Sequence, residues 1–326
     1  MSGVRVAVFL LVALLVLGGC HRQEVIVKTT DGRKLRAEDI DRDPLALLPG
    51  GAIGILYLDA QALYASPFGQ GVSRLAESHT PVPASANYQP QRDLERMYVG
   101  FYSMQGADFA GVATGVFDKE AIEAAADGTQ VTPLGVPVVK STYADRSLYT
   151  AANLGFVVLT SRTALFGNET GIRRTLDRID RGIVKQEVPD WALDLLQRPD
   201  VPMAAAFDLE SNPVSAAARN QLPFAAGLHR VRMVGNFADP GINVAGTATY
   251  ADAASAELGA TGMNDLQTTI RQWGWAAALL GIRQPIRQMQ AHPNGSQVDF
   301  VIGLDGAAVT ALLEQASKVV APAAGG

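Results

Sequence analysis

Val99-Gly100-Phe101-Tyr102-Ser103-Met104-Gln105-Gly106-Ala107-Asp108-Phe109-Ala110-Gly111-Val112-Ala113-Thr114 and Val234-Gly235-Asn236-Phe237-Ala238-Asp239-Pro240-Gly241-Ile242-Asn243-Val244-Ala245-Gly246-Thr247-Ala248-Thr249 share one pattern. Val99, Gly100, Gly106, Ala110, Gly111 and Thr114 recur as Val234, Gly235, Gly241, Ala245, Gly246 and Thr249, all about 135 residues further on. Glycine in a strand-like run marks a turn or a close approach of backbone. Three glycines kept in step predict the same β-hairpin built twice.

The surroundings repeat in the same order. Ile55-Leu56-Tyr57-Leu58-Asp59 corresponds to Ala204-Ala205-Ala206-Phe207-Asp208, each ahead of a short helical stretch, and Phe156-Val157-Val158-Leu159 corresponds to Phe300-Val301-Ile302-Gly303-Leu304. Ile172, Leu176 and Ile179 are spaced for one helix face before Gly182, and Val309, Leu312, Leu313 and Ala316 do the same behind an Asp305 cap. Each half reads strand, helix, hairpin, helix, two or more strands, helix. The expected fold is α+β: two repeat-related halves, each a mostly antiparallel sheet with helices packed on one face. The first half spans 51–188 and the second 201–320. Between them, 189–200 holds a linking helix over Asp190-Trp191-Ala192-Leu193-Asp194-Leu195-Leu196, and 321–326 is expected to be a flexible tail. Thr80 to Arg92, with three prolines, reads as an exposed loop.

Ahead of the body, residues 1–19 have the form of a cleaved secretory signal. Met1 to Arg5 carries one positive charge, Val6 to Leu17 is unbroken apolar sequence, and Gly18 and Gly19 follow. An apolar run of about a dozen residues is short of the roughly 20 that span a bilayer. Leu17-Gly18-Gly19-Cys20 resembles the lipobox of bacterial lipoproteins, which implies that the Cys20 thiol is acylated and becomes the new N-terminus. Cys20 is the only cysteine. In that class the next residue influences sorting; His21 in place of aspartate implies the outer membrane, with the body lipid-anchored in the cell envelope and facing the periplasm. Several acyl chains on one terminus, each buried methylene contributing about 0.8 kcal/mol, give stable attachment without a spanning helix. Residues 20–50 are expected to be anchor, tether and a small hairpin, because Glu24-Val25-Ile26-Val27-Lys28-Thr29-Thr30 alternates up to Asp31-Gly32 and Arg33 to Ala37 can return.

The chain has 326 residues, 48% hydrophobic and 18% charged, a composition that buries a core and excludes a disordered protein. Its net charge of −5 lacks the concentrated basic face that nucleic acid requires. Arg173, Arg174, Arg178 and Arg181 alternate with Asp177 and Asp180 and read as the solvated face of a helix.

Motifs for zinc proteases, phosphate loops, dinucleotide loops and nucleophile elbows do not occur in the sequence. His21, His79, His229 and His292 are too scattered for a helical or knuckle metal site, so no metal, cofactor or catalytic residue is expected. Asp39, Asp41 and Asp43 alternate like calcium ligands, but Pro44 and Gly50 stand where an EF-hand needs glycine and glutamate, leaving a solvated acidic turn. Asn168-Glu169-Thr170 and Asn294-Gly295-Ser296 match the glycosylation sequon and read as helix-cap and turn asparagines. Trp273-Gly274-Trp275, bracketed by Arg271, Arg283 and Arg287, reads as part of a core helix, with a ligand groove, a partner surface or lipid contact as alternatives. The expected function is a non-enzymatic binding or interaction module, attached to the membrane through Cys20, that takes an envelope protein or an apolar ligand in a cleft between the halves. The alternatives are a carrier of apolar envelope molecules and a periplasmic hydrolase built around His229 or His292.

Overall fold

The computed structural model describes residues 35–320, apart from 80–81, 83, 104–107, 128–129, 133–135, 199, 214–218, 220–222 and 280–285. The signal segment, Cys20, His21, most of the expected hairpin over 24–37, Gly106 and the tail 321–326 lie outside the described residues.

The chain begins with helix α1 (Ala37–Asp41) and a 3-10 turn (Pro44–Leu47), followed by β1 (Gly54–Asp59), α2 (Ala60–Tyr64), α3 (Gly69–His79), α4 (Pro90–Asp93), β2 (Leu94–Phe101) and β3 (Phe109–Gly115). It continues through α5 (Lys119–Ala126), β4 (Gln130–Val131), β5 (Pro137–Tyr143), β6 (Arg146–Ala151), β7 (Leu154–Val158), β8 (Thr163–Asn168), α6 (Glu169–Asp180) and α7 (Asp190–Leu196). The rest is β9 (Met203–Asp208), β10 (Leu228–Asn236), β11 (Gly241–Tyr250), α8 (Ala253–Leu279), β12 (Ile286–Asn294), β13 (Gln297–Asp305) and α9 (Gly306–Val320).

The thirteen strands of the described residues join one sheet in the order β12-β13-β11-β10-β9-β1-β2-β3-β8-β7-β6-β5-β4, and neighbours pair antiparallel. Outwards from the joint between β1 and β9 both sides follow one order, β1-β2-β3-β8-β7 and β9-β10-β11-β13-β12. The fold is α+β on an antiparallel sheet. The two halves are joined edge to edge at β1 and β9, with Ile55 opposite Ala206 and Tyr57 opposite Ala204.

Glycine spacing has a packing cause. Gly111 of β3 lies opposite Phe166 of β8, and Gly246 of β11 lies opposite Phe300 of β13. Each phenyl ring covers its glycine so closely that a Cβ there would overlap ring carbons. Gly54 and Phe207 make a third such pair at the joint. These pairs show that Phe300 corresponds in position to Phe166 rather than to Phe156, the counterpart chosen from the sequence. Phe156 and Phe166 face each other in the β7–β8 ladder, so local pattern cannot tell the two strands apart. The hairpins themselves differ by one residue in register, Val99 pairing with Gly111 but Val234 with Ala245. A one-residue slip turns side chains to the other face, so the sequence match of Val99 with Val234 does not survive as a structural match.

Alternation along the strands divides the interior. On one face, Ile55, Tyr57, Val112, Val157, Leu165, Ala204 and Ala206 pack against Ile172, Leu176 and Ile179 of α6 and Leu193 and Leu196 of α7. Each of those α6 side chains is at most 3% exposed, and full burial of such a group contributes about 2 kcal/mol. On the opposite face, Ala113, Tyr149, Phe156 and Val158 pack against Ile122 and Ala126 of α5, and Val244, Ala248 and Phe300 pack against Ala256, Ala260 and Met263 of α8. In the first half helices therefore cover both faces; in the second, α8 covers one and α7 reaches only β9 and β10 of the other. α9 starts behind its Asp305 cap as expected, but it packs mainly on α3, with Leu313 against Gly71, and Leu312 stays 41% exposed.

One stretch read as exterior belongs to the interior, and a second, largely exposed as expected, sends single residues inward. Leu35, Ile40, Leu45, Ala46, Leu47 and Leu48 join the α6 and α7 core, so the expected tether over 20–50 is core from Leu35 on, and Ala37 starts a helix where a returning strand was expected. In the proline-rich stretch, Ala86 is buried and Tyr88 stacks on Phe117 at 5.9 Å between centroids.

Candidate functional site

On the side of the second half-sheet opposite α8, α7 packs on β9 and the inner strand β10, and rows of exposed residues run outward from there over β11, β13 and β12. Strand registers lay out these rows. Arg232, Thr247, Asp299 and His292 are consecutive cross-strand neighbours over β10, β11, β13 and β12, and Val234, Ala245, Val301 and Gln290 form the adjacent row. Arg232, Ala245, Gln290, His292 and Asp299 are exposed, as is Val301 at 45%. Polar residues at every second position, with Met233, Val244 and Phe300 between them on the covered side, build a sheet with one solvated face.

The charges on this face are organised. Thr247 Oγ1 donates to Asp299 Oδ1 at 3.0 Å. At the inner border the Arg230 guanidinium lies 5.4 Å from the Trp191 ring centroid and donates to Glu210 Oε2 at 3.3 Å. At one end Asn243 Nδ2 bridges Asn236 Oδ1 at 3.0 Å and the Ala238 carbonyl at 3.1 Å. Surface pairs of this kind contribute little to stability, so their ordering matters as display of donors and acceptors.

The singled-out residues have found other employment. Asp39 accepts from Arg36 and Arg42, Asp41 accepts from the hydroxyls of Thr160 and Thr163 at 2.6 Å each, and Asp43 caps the 3-10 turn through the Leu45 amide at 3.1 Å. The hydrogen bond from Arg36 holds the Asp39 carboxyl below its usual range, whereas burial pushes the Asp43 carboxyl up. The three carboxylates face three sets of partners, not a common cation. The arginines of α6, expected on a solvated face, are engaged as well. Arg173 lies over the Tyr143 ring at 4.6 Å, Arg174 over the Tyr102 ring at 4.4 Å while pairing with Asp108, and Arg178 donates to Glu187 at 2.8 Å and to the Lys185 carbonyl at 3.0 Å.

Asn168 is 5% exposed and its side chain accepts from the Phe109 amide at 2.9 Å, so it ties β8 to β3 rather than capping α6. Asn294 is exposed beside the tight turn at Gly295, where φ is +60°. His229 is half-buried and His292 exposed; they sit on different strands and are not brought together. Trp273 and Trp275 fall within helix α8, but their side chains lie outside the described residues. Among the described residues no cluster of three or more metal-ligating side chains occurs, and no helix is long and apolar enough to cross a membrane. A recess of about 220 Å³ lies between α4 and α5, lined by Asn87, Tyr88, Arg92, Asp93, Val116 and Asp118. Desolvation pushes the Tyr88 phenol well above its usual range. Asp93, buried beneath the recess, is consumed by Arg92 at 2.6 and 2.7 Å and by the Gln89 amide at 2.8 Å.

The open face was not singled out from sequence, although the alternation of Arg230, Arg232 and Val234 with Val231 and Met233 carries its signal. No family model matches the chain, and no curated protein matches it. Among solved structures the chain resembles two crystal forms of TP0453, from Treponema. Form III superposes with a TM-score of 0.52 at 12% identity over 85% of this chain and 98% of that one, and form I with 0.51 at 10% identity over 85% and 97%. At such identities the likeness is one of fold.

Proposed function

We propose that this chain is a lipid-anchored cell-envelope protein, acylated at Cys20 and held at the outer membrane facing the periplasm, whose body is a non-enzymatic module that binds a protein partner on the open face of its second half. The observation that carries the binding reading is that face: beyond α7, which reaches β10, it is lined by Arg232, Thr247, Asp299 and His292, and Arg232, Asp299, His292 and Val301 are exposed. It lies on the side of the sheet where the lead-in segment packs, because Leu35 and Leu45 share a core with Tyr57 and Ala206. Residues 21–34 separate Cys20 from that core, a reach of roughly 50 Å when fully extended.

A polar face with both signs of charge favours a protein surface over an acyl chain, so the carrier alternative draws less support. The hydrolase alternative draws none from His292, since the nearby Thr247 hydroxyl already donates to Asp299. The same reading takes the two halves as copies of one ancestral unit, supported by their common strand order and by the pairs Gly111–Phe166 and Gly246–Phe300.

The test is a photocrosslinking residue placed at Val301 in the anchored protein, with Leu258 on the outer side of α8, 73% exposed, as the control position. Discrete adducts from Val301 alone, lost on Arg232→Glu, are expected. Equal labelling from both positions, or no adduct from Val301, would contradict the reading.

A further inference from the structure

The pairs Gly111–Phe166 and Gly246–Phe300 align the two half-sheets position by position. Val112 and Thr247 follow the glycines, and Leu165 and Asp299 precede the phenylalanines. The row Val112–Leu165–Val157 of the first half therefore takes the place of Thr247–Asp299–His292 in the second. Val112, Leu165 and Val157 are at most 1% exposed, because α6 packs along β3, β8 and β7. Along the matching strands β11, β13 and β12 no helix takes that place among the described residues, and Asp299 and His292 are exposed. Gly155, whose missing Cβ leaves room for Ile172 of α6, and Gly167 opposite it are matched by Gln290 and Val301.

Strand length accounts for the difference. α6 starts three residues after Phe166, whereas α9 starts six residues after Phe300. Successive strand positions point to opposite faces, so an excess of three residues turns the chain away from this face. α9 goes instead to α3, where Leu313 lies against Gly71 and Glu314 pairs with Arg74 at 3.6 Å. The footprint of α6 is thus repeated in the second half without its helix, in polar residues.

We infer that this footprint seats an acidic helix of the protein partner, lying along β11 and β13 as α6 lies along β3 and β8, with a carboxylate on Arg232. The inference rests on the binding reading above and names the partner's chemistry. A partner strand would have to pair with an edge, but β11 and β13 are hydrogen-bonded on both sides, so only side chains meet what lies over them. Rows on one strand face repeat about every 6.6 Å and helical residues four apart about every 6 Å, so one helix stripe meets successive rows. Charge selects an acidic stripe. Arg232 is exposed with no ion pair among the described residues, and the Arg287 guanidinium lies over Gly303, whereas Asp299 already accepts from Thr247 and Arg230 is paired with Glu210.

The test places a photocrosslinking residue at Val301 and, in a second protein, at His292, which lies in the adjacent row, and maps the captured partner residues by mass spectrometry. Captured residues three or four apart in one segment that carries a carboxylate are expected. Arg232→Glu is expected to lower capture from both positions at least about tenfold, and a carboxylate-to-lysine exchange in the mapped segment to restore it. Captured residues two apart or in separate segments, or a segment without a carboxylate, overturn the acidic helix and leave a protein partner at this face. Capture unchanged by Arg232→Glu overturns the charge pairing and the inference with it. No adduct from either position overturns the binding reading itself. Circular dichroism confirms folding; if the glutamate form does not fold, Arg232→Gln decides by the same criteria.

Discussion

Leu56 lies directly opposite Ala205 in the ladder that joins β1 to β9, and the two occupy the same place in strands of six residues each. The halves therefore meet about a point where one side's chain faces its counterpart. Ala205 is 4% exposed, and both Ile55 and Ala206 beside it share the core that α6 and α7 fill.

From this joint follows a single unfolding transition for the whole body. Calorimetry is expected to show one cooperative endotherm, and Ala205→Asp, which buries an unpaired charge at the joint, to cost about 3 kcal/mol while lowering that one transition as a unit. Two separable transitions in the wild type would mean that the halves are independent.

Gly111 and Gly246 are each covered by a phenyl ring, so an added methyl has nowhere to go. Gly111→Ala and Gly246→Ala are each expected to lose about 2 kcal/mol through overpacking, measured by urea denaturation. Pairing Gly111→Ala with Phe166→Leu, which makes room, should recover part of that loss, giving a non-additive double-mutant cycle. Strict additivity would show that ring and glycine do not interact.

Asp41 ties the lead-in segment to the sheet through Thr160 and Thr163. Asp41→Ala is expected to cost about 3 kcal/mol, two hydrogen bonds to a charged acceptor. It should also raise amide exchange over residues 35–48 before it does so in β1, and uniform acceleration through the body would contradict a local tie.

Burial alone would raise the Asp93 carboxyl, but the hydrogen bonds from Arg92 and the Gln89 amide outweigh it and hold the group below the usual carboxylate range. A depressed carboxylate contributes stability above its unfolded pKa and loses it as pH falls through the folded value. Melting temperature should therefore fall between roughly pH 5 and pH 2, and Asp93→Asn should flatten that limb. An unchanged acid limb in the variant would assign the loss to other groups.

Much of the fold could be read where local periodicity and burial agree. Ile172, Leu176 and Ile179 announced α6, Asp190 to Leu196 announced α7, and the glycine pattern announced both central hairpins. The linking helix turned out to be core, with Leu193 and Leu196 under the joint, because the pairing of β1 with β9 depends on residues far apart in the chain. Residues 35–48 go inside against their local sequence pattern for a different reason. Asp39, Asp41 and Asp43 look solvated in sequence, yet each is neutralised or bonded in the fold, which lets Leu45 to Leu48 go inside. The open face left only a short alternation as its signal.

Membrane attachment depends on Cys20, and detergent phase partition of the cell-expressed protein tests it directly. Wild type is expected in the detergent phase, with its N-terminal peptide carrying acyl mass on Cys20, and Cys20→Ser in the aqueous phase without it. Wild-type protein in the aqueous phase with an unmodified Cys20, or a serine variant that stays with detergent, would contradict the anchor and the proposal built on it.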